Sequence, residues 1–335
     1  LFWWEAGPEL ARHINAKITG DPQIDWIAYT LHKYFNGRLP LQRCLSLGCG
    51  TGHLERTLAR YGAFVQCDAY DVADRSLRIA RELAESNGLS SINYYLADVN
   101  QIVLPSCVYD AVWIHGAMHH FTQLEHICEQ ISRAIRPGGY LILNEYVGPN
   151  RFQFPIRQKQ VANCSLQLLP ERYRRIVREA IEMELERSPF KRGLGWSIHR
   201  LFDKVRDGDV LAAIRRRITI HFASRATRGP LKSTIVFPTA RDVAAADPSE
   251  AIRSADIIPV LQRYFKIVEQ KGWGGNILQF LLSGIAGNFA ADDQTAQLLL
   301  RMLLNIEDTL IQCGEFESDF AFIVAQPLDQ AQCGV

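Results

Sequence analysis

Three glycines set one residue apart, Gly48, Gly50 and Gly52, close an apolar run that begins at Cys44. Behind them, His53 to Tyr61 places Leu54, Leu58 and Ala59 on one helical face. Strand, glycine loop and helix together hold a ligand against backbone. Glycine permits the sharp turn and the close approach, and the helix start offers free N–H groups and a partial positive charge. Two acids follow. Asp71 comes 19 residues after Gly52, just past a second strand-like run, Phe64–Ala69. A carboxylate at that distance suits the two ribose hydroxyls of an adenosine ligand. Asp98 follows a third run, Ile92–Leu96, where a carboxylate can accept from an exocyclic adenine amine. Cys49 in the loop, and Val72 and Val99 beside the two acids, are assigned to the same ligand.

A second polar set lies further along. His115-Gly116-Ala117-Met118-His119-His120-Phe121 follows a fourth strand-like run, and Asn144-Glu145-Tyr146 ends a fifth. Ligands of open α/β sheets sit outside the carboxyl ends of the strands, so both stretches fall at one edge. Histidine titrates near neutral pH and suits proton transfer from an oxygen or nitrogen nucleophile. The candidate catalytic groups are therefore His115, His119, His120 and Glu145, each with a competing role in loop hydrogen bonding. The same histidines with Glu145 could ligate a metal, but no close-spaced ligand motif supports this and no metal is assigned.

The glycine spacing differs from the G-x-G-x-x-G of dinucleotide sites, and the loop holds no basic residue. Gly48-x-Gly50-x-Gly52 stands with Asp71, Asp98, Tyr109-Asp110-Ala111-Val112-Trp113 and Arg136-Pro137-Gly138-Gly139-Tyr140. Over about Cys44 to Tyr146 this set resembles the class I S-adenosylmethionine-dependent methyltransferases. The resemblance implies S-adenosylmethionine as cofactor, the glycine loop at its methionine end, Asp71 on the ribose, Asp98 on the adenine and His115 close by. It also implies a Rossmann-like, doubly wound, seven-stranded sheet whose seventh strand is antiparallel. Ser46 departs from the pattern: the family usually has an acid there, which helps hold the methionine end. A finer similarity, from the Trp-rich N-terminus through Arg151-Phe152-Gln153, is to bacterial methyltransferases of glycan or secondary-metabolite assembly. It implies methylation of an oxygen or nitrogen on a small molecule or sugar. The alternatives are an RNA or protein methyltransferase and a non-catalytic cofactor-binding subunit.

Strands are expected at 44–47, 64–69, 92–96, 109–114 and 140–146, alternating with helices at 53–61, 75–87 and 122–135. Such alternation implies βαβ units and a parallel sheet. Residues 1–43 read as an N-terminal helical cap, with Asp21 capping the second helix ahead of Pro22. Residues 44–146 form the cofactor-binding core. Residues 147–249 are a basic, mainly helical insertion after strand five, with helices at 153–167 and 171–187. Residues 250–328 complete the core: a helix from Pro248 to Tyr264, a strand 265–270, helices at 276–290 and 293–313, and a strand 320–325.

Bulk composition narrows the partners. A net charge of +1 over 335 residues gives no global field to attract nucleic acid, and 47% hydrophobic content is ample for a core. Residues 187–241 carry 13 Lys or Arg against three Asp. That charge reads first as a solvated face, and otherwise suits an anionic acceptor or peripheral contact with a membrane surface, densest at Arg215-Arg216-Arg217. No RNA-binding module accompanies it. The eight scattered cysteines include no C-x-x-C pair and read as reduced, which points to the cytoplasm.

Overall fold

A computed structural model describes residues 7–178, 180 and 229–328. The chain divides into two compact units. One comprises Asn15–Arg151, Asp247–Trp273 and Asp319–Val335, and the other Leu1–Ile14, Phe152–Ala246 and Gly274–Ser318.

The first unit is built on a seven-stranded sheet. Its strands are β1 (Leu41–Leu47), β2 (Phe64–Asp71), β3 (Ile92–Leu96), β4 (Tyr109–His115), β5 (Ile135–Tyr146), β6 (Phe265–Gly274) and β7 (Phe320–Pro327). The spatial order is β3-β2-β1-β4-β5-β7-β6. The first five strands pair in parallel, and β7 runs antiparallel to β5. This is the expected doubly wound sheet. Burial explains why β4 is central: Tyr109 to Ile114 are all buried, as a strand covered by helices on both faces must be. On one face α5 (Leu124–Ala134) and α8 (Ile257–Tyr264) supply Leu124, Ile127, Ile131, Ile257 and Leu261 to a core with Val112, Leu143 and Ile323. The helices α3 (His53–Arg60) and α4 (Asp74–Ser86) complete the βαβ units. At the edge, β6 alternates exposed with partly buried residues and carries Lys266, Glu269 and Lys271, charges that discourage pairing with another chain.

Several boundaries differ from those expected, each for a local reason. The fifth strand starts at Ile135: Tyr109 pairs with Ile135, then Ala111 with Tyr140, so Arg136–Gly139 bulge outward. Gly139 is required there because a Cβ would lie 2.7 Å from the Asp110 carbonyl oxygen. The second helix, α2 (Trp26–Phe35), is capped by Asp25, whose Oδ1 accepts from the backbone N–H groups of Ile27 and Ala28 at 2.9 Å; Asp21 instead accepts from Gln23 N–H in the preceding turn. The helix expected from Pro248 begins only at Ile257. Pro259 has no N–H to donate to a carbonyl four residues back, so it fits only a first turn.

In the second unit α1 (Pro8–Thr19) contributes its first residues, and α6 (Ile156–Gln167), α7 (Ala240–Ala246), α9 (Leu278–Leu282) and α10 (Gln294–Gln312) follow. The helix expected over 276–290 is cut to α9 because Gly284 turns left-handed at φ +77°. Glu307 on α10 is buried and accepts from the N–H groups of Gly275, Ile277 and Leu278, capping that helix from outside. The helix expected at 171–187 does not begin at its first residues, where a short 3₁₀ turn, Glu171–Arg174, stands; residues 178 and 180 are helical, and 181–187 lie outside the described residues. Most of the basic stretch, Arg215-Arg216-Arg217 included, lies outside the described residues, as do Trp3 and Trp4. No described helix is long and apolar enough to cross a membrane. Cys44, Cys49, Cys67, Cys128, Cys164 and Cys313 are free thiols, but Cys107 is disulfide-bonded. The expectation of eight reduced cysteines fails there: a missing C-x-x-C motif says nothing about pairing between distant residues.

Candidate active site

Over β1 and β2 the glycine loop is clamped from one side. Gly48 N–H and Cys49 N–H both donate to the Tyr70 carbonyl, at 2.8 and 3.1 Å. Gly50 N–H donates to Asp71 Oδ2 at 2.8 Å, and the other oxygen of Asp71 accepts from Ala73 N–H at 2.8 Å. The acid and the loop predicted to share a ligand are thus joined directly. Gly48 and Gly52 are needed for space as well as for φ of +70° and +76°. A Cβ at Gly48 would sit 2.4 Å from Ala117 Cβ, and one at Gly52 would sit 2.3 Å from the Tyr94 hydroxyl. Val72 stands 70% exposed beside Asp71, an apolar surface available to a flat ring. Asp98 is partly buried and accepts from Asn100 N–H and Nδ2 at 2.9 Å and from Gln101 Nε2 at 3.1 Å. Val99 turns its side chain into the core.

Ser46, the departure from the family pattern, is buried and hydrogen-bonded to Glu55 on the first turn of α3. Glu55 therefore returns a carboxyl group to the place where β1 lacks one. Burial raises its pKa to about 7, although Ser46 pulls it down. Its Oε2 is buried with no hydrogen-bond partner, and so is the hydroxyl of Tyr94. Glu55 was not among the predicted residues. The signal was present: an acid next to Leu54 and three residues before Leu58, on the face of α3 that must turn inward.

Over β4 and β5 the predicted groups separate. His115 ends β4 open to solvent yet with protein around most of its ring, 5.3 Å from the Trp26 ring centre. Desolvation lowers its pKa against the opposing pull of Glu145, which leaves a neutral imidazole near pH 7. Glu145 is 1% exposed. Its Oε2 accepts from Ala117 and Met118 N–H at 2.8 and 2.6 Å, and its Oε1 accepts from Tyr146 N–H at 2.7 Å. His119 Nδ1 lies 2.5 Å from the same Oε1. Burial opposes charge on His119, but the charge and hydrogen bond of Glu145, with Glu250 beyond, outweigh it and raise its pKa to about 10. Burial likewise opposes ionisation of Glu145, yet its net pKa is lowered by His119 and the backbone N–H groups. The pair is thus an imidazolium and a carboxylate that pin the turn after β4. Neither is free to take a proton.

Glu250 is the other residue the sequence did not reveal. Its Oε1 is 3.4 Å from His119 Nε2 and its Oε2 is 3.9 Å from His120 Nε2. It lies on a return segment far downstream in the chain, and no local pattern marks it. That segment is held in place by Arg151, whose guanidinium donates to the carbonyls of Asp247, Pro248 and Glu250. Ile252 N–H also donates to the His119 carbonyl at 3.1 Å.

Residues 45–143 match the family described as a methyltransferase domain. With the sheet order, the glycine loop, Asp71 and Asp98, this makes the core a class I S-adenosylmethionine-dependent methyltransferase domain. The cofactor of that class is S-adenosylmethionine. Among known proteins, the ubiquinone biosynthesis O-methyltransferase of Methylocella silvestris is 29% identical over 151 residues, which is 42% of this chain and 56% of that protein. The demethylmenaquinone methyltransferase of Thermus thermophilus is 31% identical over 113 residues, 34% of this chain and 51% of its own. The solved S-adenosylmethionine-dependent methyltransferase of Mesorhizobium loti aligns over 85% of this chain and 90% of that one, at 16% identity and a TM-score of 0.41. The chain spans about half the length of the curated relatives it matches.

The residues present fit the cofactor. Each oxygen of Asp71 has one N–H and one lone pair left for a ribose hydroxyl. Glu55 Oε2 and the Tyr94 hydroxyl are unsatisfied polar atoms close behind the loop.

Proposed function

We propose that this protein transfers a methyl group from S-adenosylmethionine to an oxygen or nitrogen of a small organic acceptor. The observation that carries the reading is the glycine loop bonded through Gly50 to the carboxylate of Asp71. Bound there, the cofactor supplies a methyl group already activated by its positive sulfur. Asp71 would hold the ribose, Asp98 the adenine and the loop the methionine end, with Glu55 as the acid that Ser46 does not provide. His115 is the group we assign to the acceptor's proton. It is neutral and solvent-facing, and no ring hydrogen bond holds it among the described residues. His119 and Glu145 orient the turn beneath it. Positioning supplies much of the rate for such an in-line displacement.

The names of the matched proteins, a ubiquinone biosynthesis O-methyltransferase, a rifamycin methyltransferase and several ubiquinone/menaquinone C-methyltransferases among them, support a small-molecule acceptor and divide between oxygen and carbon as the methylated atom. A sugar or glycan acceptor has no comparable support. The test is incubation with methyl-labelled cofactor and a panel of phenols, quinols, amines and sugars, followed by chromatography of the label. Label in a small hydroxylated product is expected. Tight cofactor binding with label only in RNA or protein fractions of a host extract would overturn the reading.

A further inference from the structure

His119, His120 and Glu250 form a polar cluster in which His119 Nε2, His120 and Glu250 take no part in the methyl transfer above. One nitrogen from each histidine and one carboxylate oxygen lie within 4.8 Å of one another. We propose that this cluster binds one divalent transition-metal cation, of the zinc or manganese type, through His119 Nε2, His120 Nε2 and the Glu250 carboxylate.

The separations suit the ligands. Donors about 2.0–2.2 Å from a tetrahedral zinc stand about 3.4 Å apart. His119 Nε2 and Glu250 Oε1 are 3.4 Å apart, and His120 Nε2 and Glu250 Oε2 are 3.9 Å apart. Two imidazoles and a carboxylate form a borderline ligand set that takes such cations.

The remaining ring nitrogens are already committed, which turns the lone pairs the right way. Ser249 gives its hydroxyl proton to Asp247 Oδ1 at 2.6 Å. It can therefore only accept from His120 Nδ1, 3.0 Å away. That fixes the Nδ1–H tautomer and leaves His120 Nε2 as a bare lone pair. His119 Nδ1 is likewise taken by Glu145, so its Nε2, which faces Glu250 and carries the second imidazolium proton in the metal-free chain, is the atom left for a ligand bond and releases that proton to solvent as the metal binds. A ligating histidine whose other nitrogen donates to a carboxylate or other acceptor is the usual arrangement around a metal. Glu145, named with the histidines as a third ligand although no spacing motif supported it, is an outer partner instead.

Charge points the same way. Glu145, Glu250 and Asp247 bring three carboxylates to the cluster, and Arg151 spends guanidinium N–H groups on backbone carbonyls beneath it. A divalent cation would replace the single proton that His119 holds between Glu145 and Glu250, and so would balance these carboxylates better. The His120 and Glu250 side chains are 32% and 30% exposed, so water or an oxygen ligand can complete the coordination.

Metal binding is read directly and does not depend on methyl transfer, so either proposal can fail alone. The full chain, stripped with a chelator, is titrated with Co²⁺ by visible absorption and with Mn²⁺ by electron spin-echo modulation. One saturable equivalent is expected, with two imidazole nitrogens coupled to manganese. Ser249→Ala should weaken Co²⁺ binding about 10–100-fold, as loss of an outer partner does, and Glu250→Gln and His120→Ala should weaken it more. His32→Ala, on α2, should leave it unchanged. The manganese measurement needs only the wild type, so a variant that fails to fold does not remove the test. No saturable cobalt band, fewer than two coupled nitrogens, or unaltered binding in folded Glu250→Gln would overturn the site.

Discussion

At the cofactor side of the sheet edge the working groups come from one short stretch of chain, Gly48 to Asp98. At the acceptor side, over β4 and β5, His119 and Glu145 meet Glu250 from a distant return segment. The two sides also differ in how their acids are used. Asp71 is half-exposed, bonds to two backbone N–H groups and keeps acceptor capacity for a ligand. Glu145 is buried, and its three backbone N–H bonds and His119 occupy it fully. Removing an acid from the cofactor side should therefore show in affinity, and removing one from the acceptor side should show first in stability.

The largest effect is expected at Glu145. Glu145→Ala strands a buried imidazolium and unpairs three N–H groups, and breaking a buried ion pair in this way costs about 3–5 kcal/mol. Urea unfolding at pH 7 measures it. A variant that keeps its stability but loses turnover would make Glu145 a direct participant in the reaction, which would erase the contrast drawn above.

Glu55 ranks next because it breaks the pattern from within the cofactor side, being a buried acid there. Its pKa is raised to about 7 from an ordinary 4.5. The unfolded chain loses that proton near pH 4.5 while the folded chain keeps it until about 7. Over that interval the folded state binds more protons, so stability falls as pH rises, by about 3 kcal/mol in all. Other acids titrate in the opposite sense, so the quantity to measure is the difference between wild type and Glu55→Gln. Wild type should lose stability relative to the variant between pH 4.5 and 7, with no further relative change above it. A constant difference would mean that Glu55 is already ionised in the folded state.

This contrast also governs what the sequence reveals. Loops and strand ends that carry their own chemistry leave a local signature, and the glycine spacing and Asp71 needed nothing else. The parallel strands were legible because short apolar runs such as Ala111–Ile114 alternate with amphipathic helices, and the antiparallel seventh strand because the family pattern implied it. Glu250 left no trace, since its partners lie in another part of the chain and its own neighbourhood reads as the start of a helix. Pro259 held the reason that helix starts late. Asp25 took the cap expected of Asp21 because only Asp25 sits directly before the first helical turn. Ser46 looked like a missing acid because β1 alone was considered, although Glu55 was readable as a charge on an inward helical face.

Asp71→Ala is the third test, and it sharpens the contrast by its readout. It removes a charge-assisted acceptor, which should weaken cofactor binding by about 1.5–3 kcal/mol, roughly 10–150-fold. Calorimetry with S-adenosylmethionine and its demethylated product measures it. Thermal stability should change far less than in Glu145→Ala, because Asp71 is only partly buried and water can replace its two N–H bonds. Unchanged affinity would remove Asp71 from the site.

The smallest expected effect asks whether the acceptor side extends into the basic segment 187–241, whose Arg215, Arg216 and Arg217 lie outside the described residues. Those arginines are far in sequence from Gly48, Asp71 and Asp98, so reversing them to Glu should leave cofactor affinity unchanged. An anionic acceptor would lose only part of a screened surface attraction. Exposed charge pairs contribute about 0.2–1 kcal/mol each, so KM for such an acceptor should rise by roughly threefold to tenfold at low salt. The increase should shrink as ionic strength rises, because exposed charges are screened over about 8–10 Å near physiological salt. A KM that is unchanged at every salt concentration would make the arginines a solvated face and confine the acceptor side to the sheet edge. A shift in cofactor affinity as well would show that the two sides are coupled through this segment, and the separation between them would no longer hold.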